Sequence, residues 1–278
     1  MVKRVAYQGI AGSFSSMAAR ALYGNDLIPI QTTRFRDIFE HVATGSADVG
    51  VVPIENALAG SVHENYDLLQ EFNCYIVDEY YCPVHLHLMG SGPLENVRRV
   101  LSHPKALEQC SLFLERNPEI TAVVCSDTAA AALQVRESCD PSQAALASEE
   151  SAATYHLPIL AHSIQNHTDN STRFVSIATK PSECECPTKS SIVVSLPHEP
   201  GSLYKLLGKI SSLSLNLTKI ESRPILGRPF EYAFHIDIEC QVERSSQLRE
   251  ASALIARCTR AFRELGLYQA RSDSPTQL

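Results

Sequence analysis

The chain lacks a basic excess: among its 278 residues, 24 Lys and Arg stand against 31 Asp and Glu, a formal charge of −7. Proteins that bind nucleic acid carry a basic patch or stripe, and no run of Lys and Arg is present, so nucleic acid is not an expected partner. The chain also lacks any stretch of about 18 apolar residues, the length that marks a membrane-crossing helix, so no membrane partner is expected. The segment Met1-Val2-Lys3-Arg4-Val5-Ala6-Tyr7-Gln8-Gly9 has neither the apolar core nor the small-residue cleavage site of a secretory signal. A cytoplasmic protein is therefore expected, unless a transit peptide preceded Met1. Tandem repeats and low-complexity tracts are missing too. The nine cysteines, an odd number with irregular spacing, fit scattered reduced thiols and not a disulfide framework. Cys184-x-Cys186 and His85-x-His87 have no further ligands at zinc-like spacing. No metal is expected, and the two histidines read as sheet-surface side chains sharing one face of a strand.

What is present is an alternation of short apolar runs with helical periodicity through residue 178. Val5 to Tyr7 reads as a strand, Gly9 to Gly12 as a turn, and Phe14, Met17, Ala18, Ala21 and Leu22 as one face of a helix capped by Ser13. Leu27 to Thr32 predicts a strand, Phe35 to Val42 a helix, and Asp48 to Val52 a buried strand stopped by Pro53. A helix follows Gly60-Ser61, and Tyr75 to Leu88 reads as extended. Beyond it the pattern predicts strands at 97–101, 120–125, 144–147, near 159 and at 174–178, and helices at 105–116, 128–136 and 149–155. Such alternation argues an α/β fold with mainly parallel sheet. Thr179 to Lys189, with Pro181, Pro187 and two cysteines, has no periodicity and reads as a linker. The remainder alternates as strand, helix, strand, turn at Leu226-Gly227-Arg228-Pro229, strand, helix, strand, which is the βαββαβ ferredoxin-like plan. The expected domains are 1–179, a linker at 180–189, and 190–271.

Four segments carry chemistry. Gly9-Ile10-Ala11-Gly12-Ser13 joins a strand to a helix, whose free N–H groups and partial positive charge suit an anion. It is neither the G-x-G-x-x-G dinucleotide fingerprint nor a phosphate-binding Walker loop. Pro53-Ile54-Glu55-Asn56-Ala57-Leu58-Ala59-Gly60-Ser61-Val62 follows a buried strand, where ligand sites of open α/β sheets gather. Ser102-His103-Pro104 occupies the same position after another strand, with His103 either a proton carrier or a turn cap. Asn170-Ser171-Thr172-Arg173-Phe174 opens an apolar strand.

Taken in order, these four segments resemble the prephenate dehydratase family, whose pattern is Tyr-Gln-Gly…Gly-x-Tyr/Phe-Ser, Pro-Ile-Glu-Asn-Ser-x-x-Gly-Ser, Ser-His-Pro-Gln-Ala-Leu and Asn-x-Thr-Arg-Phe. The resemblance runs over about residues 3 to 270. In the second domain, His198-Glu199-Pro200-Gly201-Ser202-Leu203 and Glu221-Ser222-Arg223-Pro224 resemble the effector motifs of an ACT regulatory domain. Departures are Ala57 for the family Ser, Lys105 for Gln, and Gln165-Asn166 for Gln-Asp.

The resemblance implies a two-lobed, periplasmic-binding-protein-like catalytic domain followed by a ferredoxin-like ACT domain. It implies a carbon–oxygen lyase without cofactor that converts prephenate to phenylpyruvate in phenylalanine biosynthesis. The alternatives are arogenate dehydratase, which forms phenylalanine directly, and a non-catalytic amino-acid sensor. Thr172 is the residue carried over as essential, its hydroxyl expected to donate to the leaving oxygen, and Glu55 is a candidate proton donor. Ser13, Asn56, Ser102, Gln165, Asn170, Arg173 and Phe174 are expected to bind substrate, with Arg173 either holding the side-chain carboxylate or bracing the loop. Gly201, Ser202, Leu203, Glu221, Ser222, Arg223 and Pro224 are expected to bind L-phenylalanine as allosteric effector, and a homodimer or homotetramer follows because such sites form between paired ACT domains.

Overall fold

The computed structural model describes residues 2–225 and 231–271, which divide into two compact units: residues 2–67 with 80–174, and residues 68–79 with the described residues from 175 onward. The turn expected at Leu226 to Pro229 lies outside the described residues. The elements through the first unit are β1 (Arg4–Gln8), α1 (Phe14–Tyr23), β2 (Ile28–Thr32), α2 (Phe35–Ala43), β3 (Val49–Asn56), β4 (Gly60–Ser61), α3 (His63–Glu71), β5 (Tyr75–Pro83), β6 (His87–Gly90), β7 (Arg99–Ser102), α4 (Pro104–Gln109), α5 (Ser111–Arg116), β8 (Thr121–Val124), α6 (Thr128–Ser138), β9 (Gln143–Ala147), α7 (Glu149–Tyr155), β10 (Ile159–Ala161) and β11 (Ser171–Ala178). One sheet has the order β2-β1-β3-β11-β5, with β1 parallel to β2 and β3. The other has the order β10-β6-β9-β7-β8, with β7 parallel to β8 and β9 while β6 runs antiparallel to β9 and β10.

The apolar runs of β1 and β3 bury Val5, Ala6, Tyr7, Val49, Val51, Val52 and Ile54, as strands covered on both faces require. α2 turns Ile38, Phe39 and Val42 inward. α6 packs small residues, Ala131 and Ala132, with Val135 against Leu101, Ala145 and Ala147, so helix and sheet approach closely. Serine and aspartate start these helices: Ser13 caps α1, Asp127 caps α6 and Ser148 caps α7, each accepting a backbone N–H.

Three expectations change. Pro53 does not stop its strand; β3 continues to Asn56. The β1 ladder already ends at Val51, so the proline's missing N–H costs none of those bonds. The helix expected over 105–116 breaks at Cys110 into α4 and α5. Asn166 is the cause: its N–H bonds Gln109 O at 2.6 Å, its Nδ2 donates to Ser111 Oγ at 2.9 Å and its Oδ1 accepts from Leu112 N–H at 3.2 Å. His87 is buried, because β6 lies inside its sheet; its Nδ1 accepts from Ser163 N–H.

The second unit contains β12 (Lys189–Ser195), α8 (Ser202–Ser212), β13 (Asn216–Pro224), β14 (Tyr232–Glu239), α9 (Ser245–Ala256) and β15 (Ala261–Tyr268), in the order the pattern predicts. Its sheet is antiparallel, β13-β14-β12-β15. Leu206 and Ile210 of α8 and Leu248, Ala251 and Ile255 of α9 cover Ile192, Val194, Ile236 and Ile238. Residues 68–79 join this unit through Arg263, whose guanidinium donates to the carbonyls of Leu69, Gln70 and Cys74. Lys189 opens β12 instead of ending the linker; its fully buried amine lies 3.0 Å from Glu79 Oε2 and 2.7 Å from Glu239 Oε1. No helix among the described residues is long and apolar enough to cross a membrane.

Candidate active site

The first unit contains a cavity of about 670 Å³, in the range of small-molecule sites. Its walls gather at strand ends: Gln8 and Gly9 at the end of β1, Thr32 and Thr33 at β2, Asn56 at β3, His103 after β7, and Ser126 and Asp127 after β8, with Thr172 from β11. This is where the topology of open α/β sheets puts ligands.

The β1–α1 turn is held in one shape. Gly9 (φ +93°) and Gly12 (φ +85°) occupy left-handed backbone, accessible to glycine without cost. A Cβ on Gly9 would fall 2.6 Å from Asp127 Oδ2, and one on Gly12 would fall 3.0 Å from Ser151 Cα. The turn's carbonyls are engaged: Ile10 O by Ser13 N–H, Ala11 O by the Tyr155 hydroxyl at 2.7 Å, and Gly12 O by the Ser148 and Ser151 hydroxyls at 2.8 and 2.9 Å. Ser13 lines the cavity and spends its Oγ as acceptor for Ser16 N–H.

Asn56 organises the opposite wall. Its Oδ1 accepts from the N–H groups of Leu58 and Ala59 at 3.0 and 2.9 Å. Those two backbone donors settle which amide atom is oxygen. Nδ2 therefore donates, to Thr172 Oγ1 and Asn170 Oδ1 at 2.9 Å each and to Ser171 O at 3.2 Å. Because the Thr172 oxygen accepts from Asn56, its own proton is left to point elsewhere, and Thr172 lines the cavity. Asn170 sits one layer back, buried, and donates to Gln109 Oε1 at 3.2 Å.

The facing wall is built on helix starts. His103 caps α4, its Nδ1 accepting from Lys105 N–H at 3.2 Å; burial pushes the imidazole pKa down, so it is neutral at pH 7 with its proton on Nε2. Asp127 caps α6, accepting from Ala129 N–H at 2.7 Å, with the N–H groups of Ala130 and Ile10 also favouring its charged form. Burial raises its carboxyl pKa above the usual range despite those donors. Lys105 reaches the rim, ion-paired with Glu108 at 3.2 Å and well exposed.

The structure thus brings together Ser13, Asn56 and Thr172 at the cavity, with Asn170 and Gln165 behind them; Gln165 Oε1 accepts from Leu86 N–H. Four expected residues fall elsewhere. Glu55 precedes Asn56 on β3, so strand alternation turns it to the other face, and it does not line the cavity. Arg173 stands in the same relation to Thr172 on β11 and is buried, and Phe174 is buried in the core. Ser102 is fully buried, its hydroxyl donating to Leu146 O at 2.7 Å. Gln109 and Asp127 are among the lining residues that the sequence pattern does not single out. Gln109 lies one turn beyond Lys105 on α4, and Asp127 follows β8 at the kind of strand end that drew attention to Asn56.

In the second unit a smaller cavity, about 170 Å³, lies beside the start of α8, lined by Ser202 and Leu203 with His198, Glu199, Tyr232 and Phe234. Gly201 (φ +80°) caps α8. Glu221, Ser222, Arg223 and Pro224 do not line this cavity; they lie on β13, at the edge of the sheet. Opposite Glu221, His235 is buried, and desolvation pushes its pKa down to about 4.

Comparison with known proteins agrees with this geometry. The pattern of the prephenate dehydratase family matches residues 5–182. A bifunctional chorismate mutase/prephenate dehydratase of Aquifex aeolicus is 38% identical over 267 residues, covering 95% of this chain and 73% of that protein. The chloroplastic arogenate dehydratase/prephenate dehydratase 2 of Arabidopsis thaliana is 42% identical over 253 residues, 86% of this chain and 66% of that protein. Among solved structures, the prephenate dehydratase of Arthrobacter aurescens in complex with L-Phe superposes with a TM-score of 0.83 at 31% identity, covering 96% of this chain and 90% of that one. GqqA, described as a novel type of quorum quenching acylase, superposes with a TM-score of 0.85 at 28% identity, covering 97% and 99%.

Proposed function

The chain belongs to the prephenate dehydratase family, and we propose that the cavity of its first unit performs the family reaction, the conversion of prephenate to phenylpyruvate, water and carbon dioxide, on the route to phenylalanine. The observation that carries this reading is the hydroxyl of Thr172, facing the cavity with Asn56 donating to its oxygen.

Departure of the ring carboxylate and the C4 hydroxyl leaves an aromatic ring, so the electrons released by decarboxylation need no external sink. A threonine hydroxyl is too weak an acid to surrender its proton near neutral pH. It acts by donating a hydrogen bond that strengthens as charge develops on the leaving oxygen. The N–H groups at the start of α1 suit a carboxylate. The reaction is best served by a departing ring carboxylate free of a tight salt bridge, because such a bridge would favour the ground state. Arg173, buried in β11, is assigned the bracing role and not a substrate contact.

Arogenate is the second substrate to consider, favoured by the Arabidopsis thaliana relative and by a carboxylate in the cavity wall, Asp127. Residues 190–271, within the second unit, are read as an ACT regulatory domain, supported by their strand and helix order and by the L-Phe complex of the Arthrobacter relative. Phenylalanine is assigned to the start of α8, with Glu221 to Pro224 of a second copy completing the site in a homodimer or homotetramer. A cytoplasmic location is assigned, and the chloroplastic relative supplies the alternative.

The test is steady-state turnover of prephenate by the wild type and Thr172→Ala, each with and without phenylalanine. Thr172→Ala is expected to fold normally and to lose about 10²-fold or more in turnover, the cost of one transition-state donor. Unchanged turnover removes Thr172 from the mechanism, and an absence of both phenylalanine binding and inhibition removes the regulatory assignment. A chain that binds phenylalanine but turns over neither substrate is a sensor.

A further inference from the structure

Prephenate and arogenate each bring two carboxylates to the cavity and differ at one position of the side chain, a neutral keto oxygen in the first and an ammonium in the second. Among the described residues lining the cavity, Asp127 is the single acid and Lys105 the single permanent cation. Lys105 is already paired with Glu108, and His103 carries no charge at pH 7. Among the described residues lining the cavity, no side-chain cation is therefore left over to balance Asp127 when a dianion enters.

The carboxyl is held by the cap: its Oδ1 accepts from Ala129 N–H at 2.7 Å, and its Oδ2 lies against the face of Gly9 where a side chain would otherwise stand. Gly9 begins the turn that ends at the first N–H groups of α1. In an amino acid the ammonium is one carbon removed from the carboxylate. A side-chain carboxylate held at the start of α1 would have its neighbouring substituent within reach of the turn that Gly9 opens, against which Asp127 stands.

Resting on the family reading above, we infer that Asp127 is a specificity-determining residue, whose carboxylate accepts hydrogen bonds from the ammonium of arogenate and has no donor to meet in the keto group of prephenate. The burial that raises its carboxyl pKa agrees with this, since a desolvated carboxylate gains most from a cationic partner.

The experiment compares wild type and Asp127→Asn, which keeps a good helix cap, for kcat/KM on arogenate and on prephenate side by side. The ratio of the two is expected to fall in the variant by about ten- to a hundredfold, the size of one hydrogen bond to a charged group. An equal loss on both substrates makes Asp127 a cap alone and overturns the inference, and an unchanged ratio does the same. A wild type that uses prephenate but neither turns over nor binds arogenate also overturns it. Should the wild type turn over neither compound, the family reading fails by itself; calorimetric binding of the two compounds then decides the inference by the same ratio.

Discussion

Replacing Asn56 by Asp changes one donor into an acceptor and leaves the shape of the side chain almost unaltered. Asn56 Oδ1 holds the N–H groups of Leu58 and Ala59, and an aspartate keeps both bonds. Its second oxygen then faces three acceptors, Thr172 Oγ1, Asn170 Oδ1 and Ser171 O, all within 3.2 Å of the present Nδ2. Thr172 is the one partner able to reverse, by turning its proton onto the new carboxylate. The donor is then lost to the substrate, and turnover is expected to fall by about 10²–10³-fold, or roughly 3–4 kcal/mol of barrier. The remaining mismatched acceptors cost about 1–3 kcal/mol of stability, which leaves the fold intact. Asn56→Ala is the control, since it frees Thr172 without capturing its proton. Thermal melts establish that both variants fold, and steady-state turnover of prephenate then ranks them. An Asp variant as active as the Ala variant refutes the assigned direction of the Asn56–Thr172 hydrogen bond.

Three other outcomes follow from the same coordinates. Gly9→Ala sets a methyl 2.6 Å from Asp127 Oδ2 on left-handed backbone, so it should cost about 1–3 kcal/mol in a denaturant titration. Stability equal to wild type would show that the turn relaxes freely. Glu79→Ala removes a fully buried carboxylate 3.0 Å from the Lys189 amine; about 3–5 kcal/mol of stability should be lost, while Glu79→Leu with Lys189→Met recovers much of it. Failure of the double variant to recover would contradict a simple ion-pair account. His235, with its folded pKa near 4 against an ordinary 6.5, is neutral in the fold while the unfolded chain takes a proton between those values. Its contribution is present above pH 6.5 and is lost as pH falls toward 4, up to about 3 kcal/mol. Unfolding free energies at pH 7 and pH 4.5 check this, since His235→Gln should flatten the acid slope.

Much of the fold was legible because its signals are local. Val5 to Tyr7 and Val49 to Val52 read as buried strands from their apolar runs, and Ser13 announced a helix start through its own hydroxyl. Asn56 and Thr172, expected at the site, line the cavity because strand ends expose them. Face was harder to read than position. Glu55 and Asn56 are neighbours in one motif, and strand alternation assigns only one of them to the cavity; Thr172 and Arg173 differ in the same way. The break at Cys110 was hidden because its cause, Asn166, bonds Ser111 across 55 positions of sequence. Lys189 read as linker because its partner Glu79 lies 110 positions away. Asp127 has the look of an ordinary cap, and only the cavity around it shows that it is also something more.

Three successive carbonyls of the β1–α1 turn are already committed. With Ile10, Ala11 and Gly12 carbonyls all occupied by the protein's own groups, and both lone pairs of Gly12 taken by serine hydroxyls, this stretch has little left to accept with. What remains are the amides of the first turn of α1, which a helix cannot satisfy internally. Such a rim is one-sided in its chemistry. It welcomes oxyanions, and any group that needs an acceptor there must find it in a side chain such as Asp127, so selection among metabolites begins at the backbone.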